Sequence, residues 1–316
     1  MKLFAMEKDR TDTLLGIQFW DGLTNRIISK GLEATAQRLS SSTKTRVGKV
    51  VTGWATPSGV IAFSGLTLEE KPLPDDQRPP WSPVAEIQEV VIHVTDHLRR
   101  FLPMSFTVRF PSRGAYKGED ISDLRGALPK SMGINLWSLA TRTVPPGSAV
   151  IRSRIVMGKG NDQAPAAYAL VRVRSAGSTP NPTFDYYGMA DKRGILSLLM
   201  PYPVPEDTNQ PPSLAQQTFP LTIEVFYKRD RSQLPPLSLN SVEKVSVNDQ
   251  PHVDSEVPDL RALLTQKKAL IIGTDKQNNE ISSQSLDIEL KFEEPFILAS
   301  PNPNSRELVL RVKPAS

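Results

Sequence analysis

Apolar and polar positions alternate with a period of two along much of the chain, and clusters of Gly, Pro, Asn and Ser interrupt the alternation at short intervals. The best-patterned stretch is residues 149–205. Ala149–Val156 sets Ala149, Ile151 and Ile155 at alternate positions with Arg152 and Arg154 between them, as a half-buried strand requires. The polar run 159–163 is a turn, 167–173 a second strand, 175–182 a loop and 186–190 a third strand. Asp191–Gly194 is then a tight turn before a fourth strand at 195–200. Short strands bounded by turn residues at this spacing predict antiparallel sandwiches.

The rest of the chain reads the same way. Strands are expected at 14–20, 27–36, 47–56, 60–63, 89–96, 106–110, 221–227, 244–247, 269–273, 285–292, 295–299 and 307–312. One segment has helical spacing: over 259–268, Leu260, Leu263 and Leu264 share a face, Asp259 is placed to cap the N-terminus, and lysines close the C-terminus. Long polar or Pro-rich connections fall at 67–83, 112–139, 207–217 and 229–258, and connections of that length usually bind something or are disordered. The two halves also correspond in order. Residues 27–36 match 165–174, 56–63 match 191–198, and 91–94 match 222–225, so the β unit is read as occurring twice.

Composition narrows the class. The 28 prolines and 18 glycines favour turns and edge strands over long helices. With no cysteine, disulfides and thiolate-bound metals are excluded. A net charge of +4, interleaved with carboxylates and without a basic run or a basic–aromatic stripe, argues against nucleic acid as a partner. The apolar patch at residues 3–6 is too short for a signal peptide, and no window approaches the roughly 20 apolar residues of a membrane span. The expected location is therefore cytoplasmic.

The turn 191–194 leading into 195–200, after the strand at 167–173, resembles the transthyretin-like, or carboxypeptidase-regulatory-like, sandwich. Asp191 is then expected to accept backbone hydrogen bonds and Gly194 to take a positive φ. Five segments, taken together, are similar to a component of contractile injection systems, the phage-tail-like particles of sheath, tube, cap and baseplate. They are WDGLTNRIISKGLEATA, TPSGVIAFSGL, VIHVTDHLRRFLPMSFTVRFPSRG, PPGSAVIRSRI and GMADKRGILSLLMPYP. That resemblance, over about residues 14–227, implies a structural subunit within an assembled particle at the baseplate, cap or an accessory ring. Its partners would be sheath, tube, baseplate or cap proteins and further copies of itself in a ring. The expected fold is all-β: two transthyretin- or immunoglobulin-like sandwiches at 1–145 and 146–228, then a β-rich segment with one helix at 229–316. That last segment either adds strands to the second sandwich or docks on a neighbour by strand addition.

No constellation for catalysis appears. There is no G-x-S-x-G elbow, no phosphate-binding glycine loop, and no His with a triad partner in motif context. His93 and His97 have the spacing of helical zinc ligands but lie on a strand reading, where residues four apart stand about 13 Å apart. No metal, cofactor or catalytic residue is expected, and the protein reads as a non-enzyme. The candidate interface residues are Arg99, Arg100 and Phe101 at a strand corner, Trp81 among prolines, and the pair Tyr186–Tyr187. The competing reading of the corner is arginines that pair with local carboxylates. Trp20 and Trp54 are expected in the core. The alternative function is a carbohydrate- or surface-binding adhesion sandwich in which Trp81, Tyr186 and Tyr187 form an exposed aromatic platform.

Overall fold

The computed structural model describes residues 13–40, 46–66, 88–110, 115–116, 133–158, 163–175, 185–202, 217–227, 259–277, 279–301 and 309–314. The expected strand at 244–247 lies outside them, as do Trp81, His252 and most of the long connections.

The protein is all-β, with one five-residue helix among the described residues. The first sandwich contains β1 (Thr13–Asp21), β2 (Arg26–Ile27), β3 (Leu32–Leu39), β4 (Arg46–Thr52), β5 (Trp54–Ala55) and β6 (Val60–Ser64). It continues with β7 (Gln88–Asp96), β8 (Met104–Phe110), β9 (Ala115–Tyr116) and β10 (Ile134–Asn135). One sheet runs β10-β1-β6-β5, with β2 and β9 also on β1; the other runs β4-β3-β7-β8. Period-two alternation builds the core between them. Leu15, Ile17 and Phe19 of β1 are fully buried while Gly16, Gln18 and Trp20 are not. Val90, Ile92 and Val94 do the same for β7.

The second sandwich starts with β11 (Ser148–Met157), β12 (Ala164–Pro165), β13 (Leu170–Ser175), β14 (Asp185–Met189), β15 (Ile195–Pro201) and β16 (Thr218–Phe226). It is completed by the C-terminal segment: β17 (Leu270–Thr274), β18 (Glu280–Ser283), β19 (Leu286–Lys291), β20 (Phe296–Ile297) and β21 (Leu310–Lys313). The segment thus adds strands to the second sandwich. β19 pairs with β16, while β20 and β21 lie parallel to β11.

The pairings show how far the internal repeat extends. β1 pairs with β2 and β6 as β11 pairs with β12 and β15. β3 lies between β4 and β7 as β13 lies between β14 and β16. β8 flanks β7 as β19 flanks β16, and β9 and β10 run parallel to β1 as β20 and β21 run parallel to β11. What distinguishes the second copy is material between β16 and β19: the β17–β18 hairpin and helix α1 (Leu260–Leu264).

The helix is half the length expected from 259–268. Gln266 turns its side-chain amide back onto the Leu263 carbonyl. The following residues extend alongside β16, with Tyr227 N–H donating to Lys267 O and Ala269 N–H to Val225 O. Tertiary pairing overrides helical spacing here. Leu260, Leu263 and Leu264 join the core of the first sandwich together with Leu170, Met189 and Phe226 of the second. Leu170 faces Met189 on one side and Phe226 on the other, so the three form a cross-strand row on the outer face of their sheet. That row is buried where the two sandwiches meet.

Candidate functional site

The same five-residue turn recurs at four hairpins. In each, the side chain of the first residue accepts a hydrogen bond from the backbone N–H of the fifth. Thr56 Oγ1 accepts from Val60 at 3.1 Å, Asp96 Oδ2 from Arg100 at 2.7 Å, Asp191 Oδ1 from Ile195 at 2.9 Å and Asp275 Oδ1 from Asn279 at 2.8 Å. The fourth residue takes a left-handed conformation in three of them, with φ of 80° at Gly59, 54° at Arg99 and 75° at Gly194. Short polar side chains serve this role because they replace a missing backbone acceptor. Asp191 and Gly194 therefore do what the transthyretin-like resemblance implies.

Arg99 and Arg100 sit in the second of these turns. Arg100 is bound locally: its Nε and Nη2 donate to Asp96 at 3.0 and 3.1 Å, and Nη2 donates to Lys30 O at 2.6 Å. Burial alone would raise the Asp96 pKa, but the Arg100 side chain and the backbone N–H groups of Arg100 and Leu98 outweigh it and hold the carboxyl below its ordinary range. Arg99 is exposed. Phe101 is buried in the first core, with the guanidinium of Arg100 at 5.1 Å from its ring centre and that of Arg142 at 4.7 Å. Arg142 in turn clasps Asp21 with two hydrogen bonds of 3.0 and 2.6 Å, both side chains being less than a tenth exposed. This Asp21–Arg142 pair had no signal in the sequence beyond Asp21's turn position, since its partner lies 121 residues away.

Tyr186 and Tyr187 are neighbours on β14 and so face opposite sides of the sheet. Tyr186 packs against the second core, and Tyr187 against the first. Strand geometry forbids the shared aromatic platform expected of them. Burial also pushes the Tyr186 phenol up. Tyr187 lies 5.6 Å beneath the Arg172 guanidinium, within a charge network on the outer face of the β13–β14–β16 sheet. There Glu224, 4% exposed, meets Arg174 at 2.6 Å, Lys268 at 2.7 Å and Arg172 at 3.7 Å, while Arg172 also holds Asp185 through Nε at 2.9 Å. These groups neutralise one another and leave the network structural.

His93 and His97 take separate partners: Ser105 Oγ at 3.0 Å from His93 Nδ1, and Glu33 at 2.8 Å from His97. Among the described residues no group of three His, Cys, Asp or Glu side chains could hold a metal ion. No described helix is long and apolar enough to cross a membrane.

The most exposed aromatic position lies elsewhere. Trp54, expected in the core, is 49% exposed on β5. The chain from Arg46 to Ala55 passes from the edge of one sheet to the edge of the other. Gly53 marks the crossing, and a Cβ there would lie 2.5 Å from Ile61 Cγ2 and 2.8 Å from the Phe63 ring. Core atoms fill the Gly53 side, so Trp54 pairs with Ala62 on the outer face. Val50, 38% exposed, lies on the same segment.

No protein-family model and no curated protein matches this chain. Among solved structures, the shaft pilin SpaA of Lactobacillus rhamnosus GG is 10% identical, with 96% of this chain aligned to 98% of that one at a TM-score of 0.21. The minor pilin of the gram-positive pathogen Streptococcus agalactiae is 5% identical, with 96% and 98% covered at a TM-score of 0.20. Likeness this distant says nothing of this chain's own partners. The structures found are nonetheless pilins and not parts of contractile particles, and the expectation of a subunit contacting sheath, tube, baseplate or cap is corrected accordingly.

Proposed function

We propose that this chain is a non-catalytic structural protein of the adhesion type, which works by surface contact along an exposed sheet edge. The observation that carries the reading is Trp54. A large aromatic side chain stands about half in solvent on an edge strand, with Val50 beside it, while the other described aromatic side chains are more enclosed. Buried as part of a contact, a Trp contributes several times what it does in water, and such residues dominate binding energy in protein interfaces. The backbone of a sheet edge also offers unpaired donors and acceptors to an incoming strand.

The test is binding by the immobilised full chain to a glycan array, to intact cell surfaces and to itself, with Trp54→Ala as the comparison. Wild type is expected to bind at least one of these, and the variant to bind it at least about tenfold more weakly, equivalent to 1.4 kcal/mol. Because Trp54 contributes little to the core, the variant should keep its far-ultraviolet spectrum and Tm. A wild-type chain that binds none of them, or a variant that binds as well as wild type, overturns the reading.

A further inference from the structure

Each sandwich has one flank on which a single segment switches between sheets. In the first it is 46–55, running from β4 to β5. In the second it is 280–291, where β18 at the edge of one sheet leads within two residues to β19 at the edge of the other. Among the described strands, β4 pairs only with β3, β5 only with β6, β18 only with β17 and β19 only with β16. All four residues of β18 are exposed, as are Gly48, Lys49 and Val50 of β4. Three of the five large apolar side chains exposed on the described surface lie here: Val50 and Trp54 on the first flank and Ile281, 44% exposed, on the second.

The two flanks differ in charge. Residues 46–55 contain Arg46 and Lys49 and no carboxylate. Residues 280–291 contain Glu280, Asp287 and Glu289 against the single Lys291, and all three carboxylates are exposed. Neither flank contains proline, a common device for blunting an edge. Lysine on an edge normally wards off unwanted pairing by its charge. Opposite an acidic edge the same charge becomes attractive and selects the partner.

We propose that the 46–55 flank of one copy binds the 280–291 flank of another. This rests on the adhesion reading above and names the partner of its edge: a second copy of this chain. The contact joins unlike surfaces, so each copy keeps one free flank of each kind and the assembly grows head to tail, past a dimer. An edge-to-edge contact of β4 with itself would instead set Lys49 near Lys49 and stop at two.

Sedimentation of the full chain across a concentration series, at low and high salt, tests this with Lys49→Glu and Glu289→Lys. Wild type should show a mass that rises beyond dimer with concentration and falls with salt, since the attraction is between exposed charges. Each variant alone presents two flanks of like charge and should associate at least about tenfold more weakly. An equimolar mixture of the two should associate again, because each then meets a flank of opposite sign. A wild type that stays monomeric, stops at dimer, or tightens with salt overturns the proposal, as does a mixture no larger than its components. A monomeric wild type that still loses surface or glycan binding on Trp54→Ala overturns this proposal alone and leaves the adhesion reading intact. Unchanged far-ultraviolet spectra in both variants exclude misfolding as the cause.

Discussion

At the scale of single residues, the recurring hairpin turn puts its strictest demand on Gly194. A Cβ there would come within 2.3 Å of the Ile155 carbonyl oxygen, which is backbone and cannot rotate aside, and φ is already 75°. In the matching turn, Gly59 would meet only the Ile27 side chain at 2.9 Å. Gly194→Ala should therefore cost more than the about 1–3 kcal/mol of left-handed strain alone, and Gly59→Ala close to that range. Denaturant unfolding of both variants measures the order, and equal losses would refute it. His93 makes a prediction in pH. Burial, then repulsion from Arg46, lowers its pKa, with Glu33 opposing in part. The unfolded chain takes the proton near the ordinary value of about 6.5, and the folded protein only at lower pH. Between those two values the unfolded state binds more protons, so stability falls as pH falls through that window and levels off below it. His93→Gln, which keeps a hydrogen-bonding side chain opposite Ser105, should flatten this limb of the stability curve. An identical slope in the variant would exclude His93 as its source.

At the scale of elements, legibility followed local pattern. β1, β7, β11 and β15 were readable because one face of each is core and their side chains follow the two-residue period. The turn at 191–194 was readable because Asp and Gly at that spacing have a specific geometric use. The helix was half readable: its leucines are buried as its spacing implied, but 266–269 gave up helix for backbone pairing with β16, and a window on one segment cannot see that. Trp54 was misplaced because an aromatic in a β run reads as core, whereas the choice of face depends on Gly53 lying against Ile61 and Phe63 from another strand. Tyr186 and Tyr187 needed only the strand period to be separated. The Asp21–Arg142 pair and the completion of the second sandwich by β19, β20 and β21 depend on contacts across more than a hundred residues of sequence or on parallel pairing, neither of which leaves a local trace.

At the scale of the whole molecule, the two sandwiches are one structure because part of the second one's outer surface is apolar. The outward positions of β13 read Leu170, Arg172, Arg174, and those of β16 read Phe226, Glu224, Thr222. Apolar groups occupy one end of this face and charges the other. The apolar end, with Met189, is buried with Leu260, Leu263 and Leu264 of α1 in the first core. The charged end is held by Glu224 and its three cationic partners. Phe226 is therefore a core residue of the sandwich to which its strand does not belong. Phe226→Ala should cost about 3–5 kcal/mol, as truncation of a buried Phe does. That loss should fall on the junction while Leu221, Ile223 and Val225, on the opposite face of the same strand, keep the second core filled. Scanning calorimetry should then replace a single cooperative transition with two, the second sandwich melting separately from the first. A variant that still unfolds in one transition, shifted as a whole, would place the coupling between the sandwiches elsewhere than in this row of side chains.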